Sequence, residues 1–286
     1  MATPKTIKLF LVDGEPTGVK KVQVSNWSGL AYVVPRRRLD FVAKREELQA
    51  QCLYFLIGQD EILPKVYIGE AENFGRRIAD HKLNKEFWNQ CVIFVSKDEN
   101  LTKAHVRYLE SKIITRVRSL NRSIVENTNS SEGAKLPEED AYDMEEFIDY
   151  MKLCLASLGF TFLEDVENNN SSTEKTFYIK TRGGIVAKAK YGNEGVTVLE
   201  GSQIVKVDAV SFIDKRGLAW RLRREYIHSG ILKDKGEHYE VQKSITFQSP
   251  STASSFVLGM ESNGWIYFKD ENGKDLNSYA KEGKLG

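Results

Sequence analysis

The chain alternates between two rhythms of hydrophobic positions. Runs with a period near two open it: Thr6-Ile7-Lys8-Leu9-Phe10-Leu11-Val12, the turn Asp13-Gly14-Glu15-Pro16, then strand-like stretches at 20–24 and 30–34. Three strands with a turn between them predict a small β extension. Cys52-Leu53-Tyr54-Phe55-Leu56-Ile57 and Lys65-Val66-Tyr67-Ile68-Gly69 are apolar, aromatic and β-branched runs joined by a polar link, and they predict a hairpin. Alternation puts Tyr54 on the face of Cys52 and Leu56, and Tyr67 on the face of Lys65 and Gly69. The bare Gly69 beside Tyr67 is expected to leave room for an approaching group.

From about Asn73 the rhythm becomes helical, with Phe74 and Ile78, and Arg77 and His81, as i,i+4 pairs. A second helix is predicted over 102–120, its stripe formed by Val106, Leu109, Ile113, Val117 and Leu120. Glu110 falls roughly 60° from the centre of that stripe, at the edge of the buried face. A third helix opens with the acidic turn Pro137-Glu138-Glu139-Asp140, buries Met144, Phe147, Ile148, Met151, Leu155 and Leu158, and ends at Gly159. It is expected to pack on the preceding core.

The tract Asn168-Asn169-Asn170-Ser171-Ser172-Thr173 lacks apolar periodicity and is the clearest linker. Beyond it come alternating runs at 177–180, 185–190 and 196–199, a basic helical stretch at 218–228, and a closing hairpin with a turn at Asn272-Gly273. The expected division is a β extension over 1–48, a core domain over 49–134, a helical segment over 135–163, a linker over 164–175 and a C-terminal domain over 176–286.

Composition narrows the function classes. At 286 residues, the chain is long enough for two or three small domains. Lys and Arg number 41 against 40 Asp and Glu, so any nucleic-acid affinity has to come from local patches. Two are visible. Pro35-Arg36-Arg37-Arg38 is a candidate phosphate contact. In the second, Lys215, Arg216, Arg221, Arg223 and Arg224 interleave with Trp220 and Tyr226, a pattern that can grip a backbone and stack on a base. No run reaches the length of a membrane span, and no membrane partner is expected. Cys52, Cys91 and Cys154 are odd in number and far apart, and the four histidines show no ligand spacing, so neither a disulfide framework nor a zinc site is indicated. The expected setting is cytoplasmic.

The chemistry-bearing residues are Tyr54, Tyr67, Arg77, His81 and Glu110. Singly, each has an ordinary explanation: sheet aromatics, a capping histidine, a solvated helix glutamate. Together they form the set that metal-assisted phosphodiester cleavage needs. A phenol can accept a proton near an attacking water, a guanidinium can hold phosphate oxygens, and a carboxylate can fix a divalent cation.

The arrangement resembles the GIY-YIG nuclease family over 52–120. Tyr67-Ile68-Gly69 matches the second motif unaltered, and the chain continues through Phe74-Gly75-Arg76-Arg77-Ile78 to His81 as that family does. Cys52-Leu53 stands where Gly-Ile is usual, with Tyr54 in place. The resemblance assigns the arginine to Arg77, leaving Arg76 as a DNA-backbone contact, and the late asparagine to Asn127, with Asn129 and Asn121 as alternatives. It implies a small antiparallel sheet flanked by helices, within an α+β protein whose second domain is β-rich. It further implies Mg²⁺ (or Mn²⁺) on Glu110, phosphate clamping by Arg77, a proton relay through Tyr54 aided by Lys65 or His81, and orientation of water or phosphate by Tyr67.

In the C-terminal half, Phe247-Gln248-Ser249-Pro250-Ser251, the run 253–259 and Asn263-Gly264-Trp265 resemble a domain of unassigned function often fused to such nucleases. The expected function is a DNA endonuclease of restriction, defence, mobile-element or repair context. A catalytically inert DNA-binding or interaction protein on the same scaffold is the alternative.

Overall fold

Strand-forming alternation dominates the first half of the chain, and in the computed structural model it builds one seven-stranded sheet. The structure describes residues 4–42, 45–59, 63–78, 85–98, 100–120, 122–128, 133–164, 175–192 and 195–284. The protein is mixed α+β, and the chain divides into two compact units, Met1–Asp165 and Val166–Gly286.

In the first unit the strands are β1 (Ile7–Leu11), β2 (Lys20–Val24), β3 (Gly29–Pro35), β4 (Cys52–Gln59), β5 (Pro64–Ala71), β6 (Trp88–Ser96) and β7 (Ile124–Val125). They lie in the order β1-β2-β3-β6-β4-β5-β7. Every pairing is antiparallel except the short parallel one between β5 and β7. The three N-terminal strands thus continue the same sheet as the tyrosine hairpin, joined to it through β6. That strand has no counterpart among the elements expected above, although Cys91-Val92-Ile93-Phe94-Val95 is an unbroken apolar run of the kind a doubly covered strand shows. At the far end, among the described residues, β1 pairs only with β2 and exposes Leu9 and Phe10.

Both faces of the central strands are covered. Leu53, Phe55 and Ile57 of β4, with Val66 and Ile68 of β5, pack beneath α3 (Lys103–Leu120) and α4 (Glu138–Ser157). The third helix therefore does pack on the core, through Met144, Phe147, Ile148, Met151 and Leu155. Cys52, Tyr54 and Leu56 face the other way, with Leu48, Phe74, Ile78 and Trp88. Between β3 and β4 lies the short helix α1 (Leu39–Val42), and after β5 comes α2, helical over 74–78, whose Asn73 side chain accepts from Arg76 N at 3.1 Å.

The second unit has two antiparallel sheets. One contains β8 (Thr176–Lys180), β9 (Val186–Gly192), β10 (Gly195–Val198) and β14 (Ile245–Phe247) in the order β14-β10-β9-β8. The other contains β11 (Gln203–Val205), β12 (Leu232–Asp234) and β13 (His238–Val241) in the order β11-β13-β12. Helices α5 (Val210–Lys215) and α6 (Leu218–His228) separate β11 from β12.

The expected closing hairpin is corrected: the end of the chain is α7 (Pro250–Leu258), α8 (Gly264–Tyr267) and α9 (Leu276–Lys281). Ser249 caps α7 ahead of Pro250, and Gly259 closes it at φ 65°. That start-and-stop chemistry outweighs the strand-like composition between them. What remains of the hairpin is a turn at Asn272-Gly273 between the bridged residues Lys269 and Asp275. Among the described residues no helix is long and apolar enough to cross a membrane.

Candidate active site

The hairpin places its two tyrosines by register. Tyr54 of β4 lies opposite Gly69 of β5, so Tyr54 and Tyr67 share one face, with ring centroids 6.3 Å apart. Phe74 of α2 packs edge-on against Tyr54 at 5.8 Å, which brings the next turn of that helix to the phenol. There Arg77 Nε donates to the Tyr54 hydroxyl at 3.4 Å. This hydrogen bond raises Arg77 above its ordinary pKa, with a further contribution from Tyr67. Arg77 is exposed, Tyr67 half-buried and Tyr54 fully buried.

Two expectations change here. The space above Gly69 is not open for a phosphate, because the Tyr54 hydroxyl and the Tyr67 ring already close over it. Tyr54 is also a poor proton acceptor as it stands. Burial drives its pKa well above the usual phenol value, and the Arg77 hydrogen bond and charge oppose this less strongly. Its hydroxyl holds Arg77, and the half-buried Tyr67 is the more exposed of the two phenols.

Asn127 acts from behind the motif strand. Its amide accepts from Ile68 N at 3.0 Å and donates to Ile68 O at 2.7 Å, continuing with a side chain the pairing that β7 makes with β5. Its role is to fix the backbone of Tyr67-Ile68-Gly69. Lys65 pairs with Glu126 at 3.4 Å and is thereby drawn toward the β7 loop. His81, Asn121 and Asn129 lie outside the described residues.

Glu110 is half-buried on α3, as its place at the edge of the apolar stripe predicts. That helix runs along β5. Lys103 at its start pairs with Glu72 at 2.7 Å, and Arg118 near its end donates to Asn127 O at 2.5 Å. Glu110 falls between these ties, on the helix that covers the sheet face opposite Tyr54. Among the described residues no cluster of three His, Cys, Asp or Glu side chains could hold a metal. One protein carboxylate is within what Mg²⁺ accepts, since it commonly takes one or two and keeps its waters.

A cation that no sequence motif marks stands at the site. Lys85 Nζ lies 4.3 Å from the Tyr67 ring centroid. It went unanticipated because it precedes β6 and reaches the hairpin only through the fold. Arg36, expected on DNA, is instead committed to this segment: one guanidinium nitrogen donates to Lys85 O at 2.9 Å, Trp88 O at 3.1 Å and Glu86 O at 3.3 Å, and the group stacks 4.6 Å from the Trp88 ring. Arg38 pairs with Asp13 at 2.9 Å, while Arg37 and Arg76 are exposed.

On α6, Trp220 is half-buried between the guanidiniums of Arg224 at 5.3 Å and Arg216 at 5.7 Å. Arg221 Nε is turned back onto Arg216 O at 3.0 Å. Residues 177–280 match the family profile of a domain of unknown function, DUF4357. No curated protein and no solved structure matches the chain. The expected C-terminal domain of unassigned function rests on that match.

Within the DUF4357 segment one expected nucleic-acid contact is overturned. Arg223 is 1 % exposed, pairs with Asp208 at 2.8 Å and donates to Phe256 O and Val205 O. Burial pushes its pKa down and Asp208 opposes the shift, so it is a structural cation that no phosphate can reach. Helical period explains the difference: Arg223 shares the inner face of α6 with Ala219, Leu222 and Tyr226, whereas Arg224 points outward.

Proposed function

We propose that the first unit is a Mg²⁺- or Mn²⁺-dependent DNA endonuclease of GIY-YIG type, and that the DUF4357 unit binds or targets DNA. The observation that carries this reading is the Arg77 guanidinium on the Tyr54 hydroxyl beside Tyr67, with Tyr54 paired opposite Gly69. Arg77 is exposed and held by a neutral phenol, so it keeps donors for a phosphodiester and can stabilise the charge that grows on it in the transition state. Tyr67 would orient the attacking water or a phosphate oxygen. Glu110 would hold the metal, which supplies Lewis-acid polarisation and leaving-group neutralisation when bound. Asn127 would keep the motif strand in place.

One observation favours the alternative, a DNA-binding protein without cleavage: Tyr54 is fully buried and strongly held as the neutral phenol. Incubating the protein with plasmid and linear DNA in Mg²⁺, Mn²⁺ and chelator separates the two. Cleavage that disappears in chelator and in Glu110→Ala supports the nuclease. Undiminished cleavage by that variant removes the one-metal scheme, and binding without cleavage leaves the alternative.

A further inference from the structure

We infer that Lys85 and Arg77 together form a two-cation seat for a DNA phosphate at Tyr67, and that Arg36 is the positioning residue that holds Lys85 there. The inference rests on the tyrosine cluster being a phosphodiester site and adds to it a second phosphate contact. Arg77 of α2 reaches the Tyr54 hydroxyl and Lys85, from the segment leading into β6, lies over the Tyr67 ring, so two separate pieces of backbone deliver positive charge to the adjoining tyrosine pair.

Their charge is not neutralised in the way that of neighbouring lysines is. Lys21 pairs with Glu47, Lys65 with Glu126 and Lys103 with Glu72, whereas among the described residues no carboxylate pairs with Arg77 or Lys85. An ammonium above a ring face gains cation–π attraction and still has donors to give. Two cations from separate segments beside the half-buried Tyr67 suit an anion with several acceptor oxygens.

The Lys85 segment is also fixed from two sides. Arg36 ties down the carbonyls of Lys85, Glu86 and Trp88 while lying on the Trp88 ring. On the β4 side, a β-carbon at Gly58 would stand 1.9 Å from Phe87 O, so the glycine permits the close approach of the two backbones where the β4–β6 register shifts. The ammonium therefore projects from a braced segment.

The test is an equilibrium titration of the full-length protein with a short labelled DNA duplex, in chelator, over a series of salt concentrations, with circular dichroism to check each variant's fold. Removing one cation that neutralises a phosphate should lower the slope of log affinity against log salt by about one. Lys85→Ala and Arg77→Ala are each expected to do so, and Lys85→Arg to keep the wild-type slope. Arg36→Gln should lower the slope as Lys85→Ala does, and the double variant no further.

A wild-type slope for folded Lys85→Ala overturns the seat. A further drop in the double variant makes Arg36 a phosphate contact itself and overturns its positioning role. Absence of binding by the wild type at low salt overturns both the seat and the nuclease reading. If the slopes fall as expected while Mg²⁺ and Mn²⁺ support no cleavage, the seat stands and the nuclease reading fails.

Discussion

Gly69 of β5 sits opposite Tyr54 of β4, and a β-carbon at Gly69 would stand 2.4 Å from the Tyr54 hydroxyl oxygen and 2.9 Å from Tyr67 Cε1. The glycine is the condition for the two phenols to meet. Gly69→Ala is expected to destabilise the protein by about 1–3 kcal/mol through overpacking, and to reduce cleavage beyond what the stability loss explains. Chemical denaturation run beside single-turnover cleavage measures both. Wild-type cleavage in a stable alanine variant would detach the tyrosine pair from the chemistry.

Arg77 and Tyr54 should affect rate more than affinity. In the proposed nuclease Arg77 would be one DNA contact among several in the bound state but would face extra charge in the transition state. Arg77→Ala is therefore expected to cost on the order of 10²-fold or more in cleavage rate at saturating protein. Tyr54→Phe keeps the packing against Phe74 and removes the acceptor that holds Arg77. Its rate should fall in the same direction, and Arg77→Ala should be no worse in its presence. Additive losses would give Tyr54 a role of its own.

Adjacent arginines on α6 should differ sharply in what their loss costs. Arg223→Ala leaves Asp208, itself 6 % exposed in its side chain, without its buried partner, and is expected to cost about 3–5 kcal/mol in the denaturation of the second unit. Arg224→Ala loses an exposed pair to the same aspartate at 3.3 Å and should cost no more than about 1 kcal/mol. Replacing Arg223 and Asp208 together with apolar residues of similar volume should recover most of the loss. Equal effects of the two single variants would refute the assignment of Arg223 to the core.

Much of this geometry was legible in the chain. Two-residue alternation fixed the faces of Tyr54 and Tyr67, and the helical stripe put Glu110 at its margin. Side-chain partners were not legible, because sequence gives the face of a residue but not what the fold brings to it. Nothing in Arg36-Arg37-Arg38 distinguishes the one that turns inward to three carbonyls, and Lys85 lies in no motif. Arg223 could have been placed, since it is four residues from Ala219 and three from Tyr226 on one helix face. Its charge masked that signal.

The buried thiols predict alkaline weakness in the first unit. Burial pushes Cys52 up to about 12 and Cys154 up to about 11, above the ordinary thiol value. In the unfolded chain these groups ionise from about pH 8.5, so above that point the folded state binds more protons than the unfolded one. Stability should be unaffected below that pH and fall as pH rises through the window toward the raised values. Denaturation midpoints taken between about pH 8 and 11 measure the trend, and a flat profile would contradict it. A thiol reagent near neutral pH should label none of the three cysteines before unfolding and all of them after.

The two ends of the seven-stranded sheet are finished differently. Beside β5 the outer hydrogen-bonding groups are taken first by β7 and then, at Ile68, by the Asn127 amide. At the other end, among the described residues, β1 pairs only with β2, and Leu9 is 53 % and Phe10 63 % exposed. The longer β1 edge is therefore the better template for strand addition. Two chains meeting through β1 would each turn the β7 end outward, where the edge strand is only two residues long and Asn127 occupies Ile68, so edge pairing is expected to favour a closed pair over a fibre. Sedimentation at increasing concentration should accordingly show a dimer as the largest species formed through the sheet.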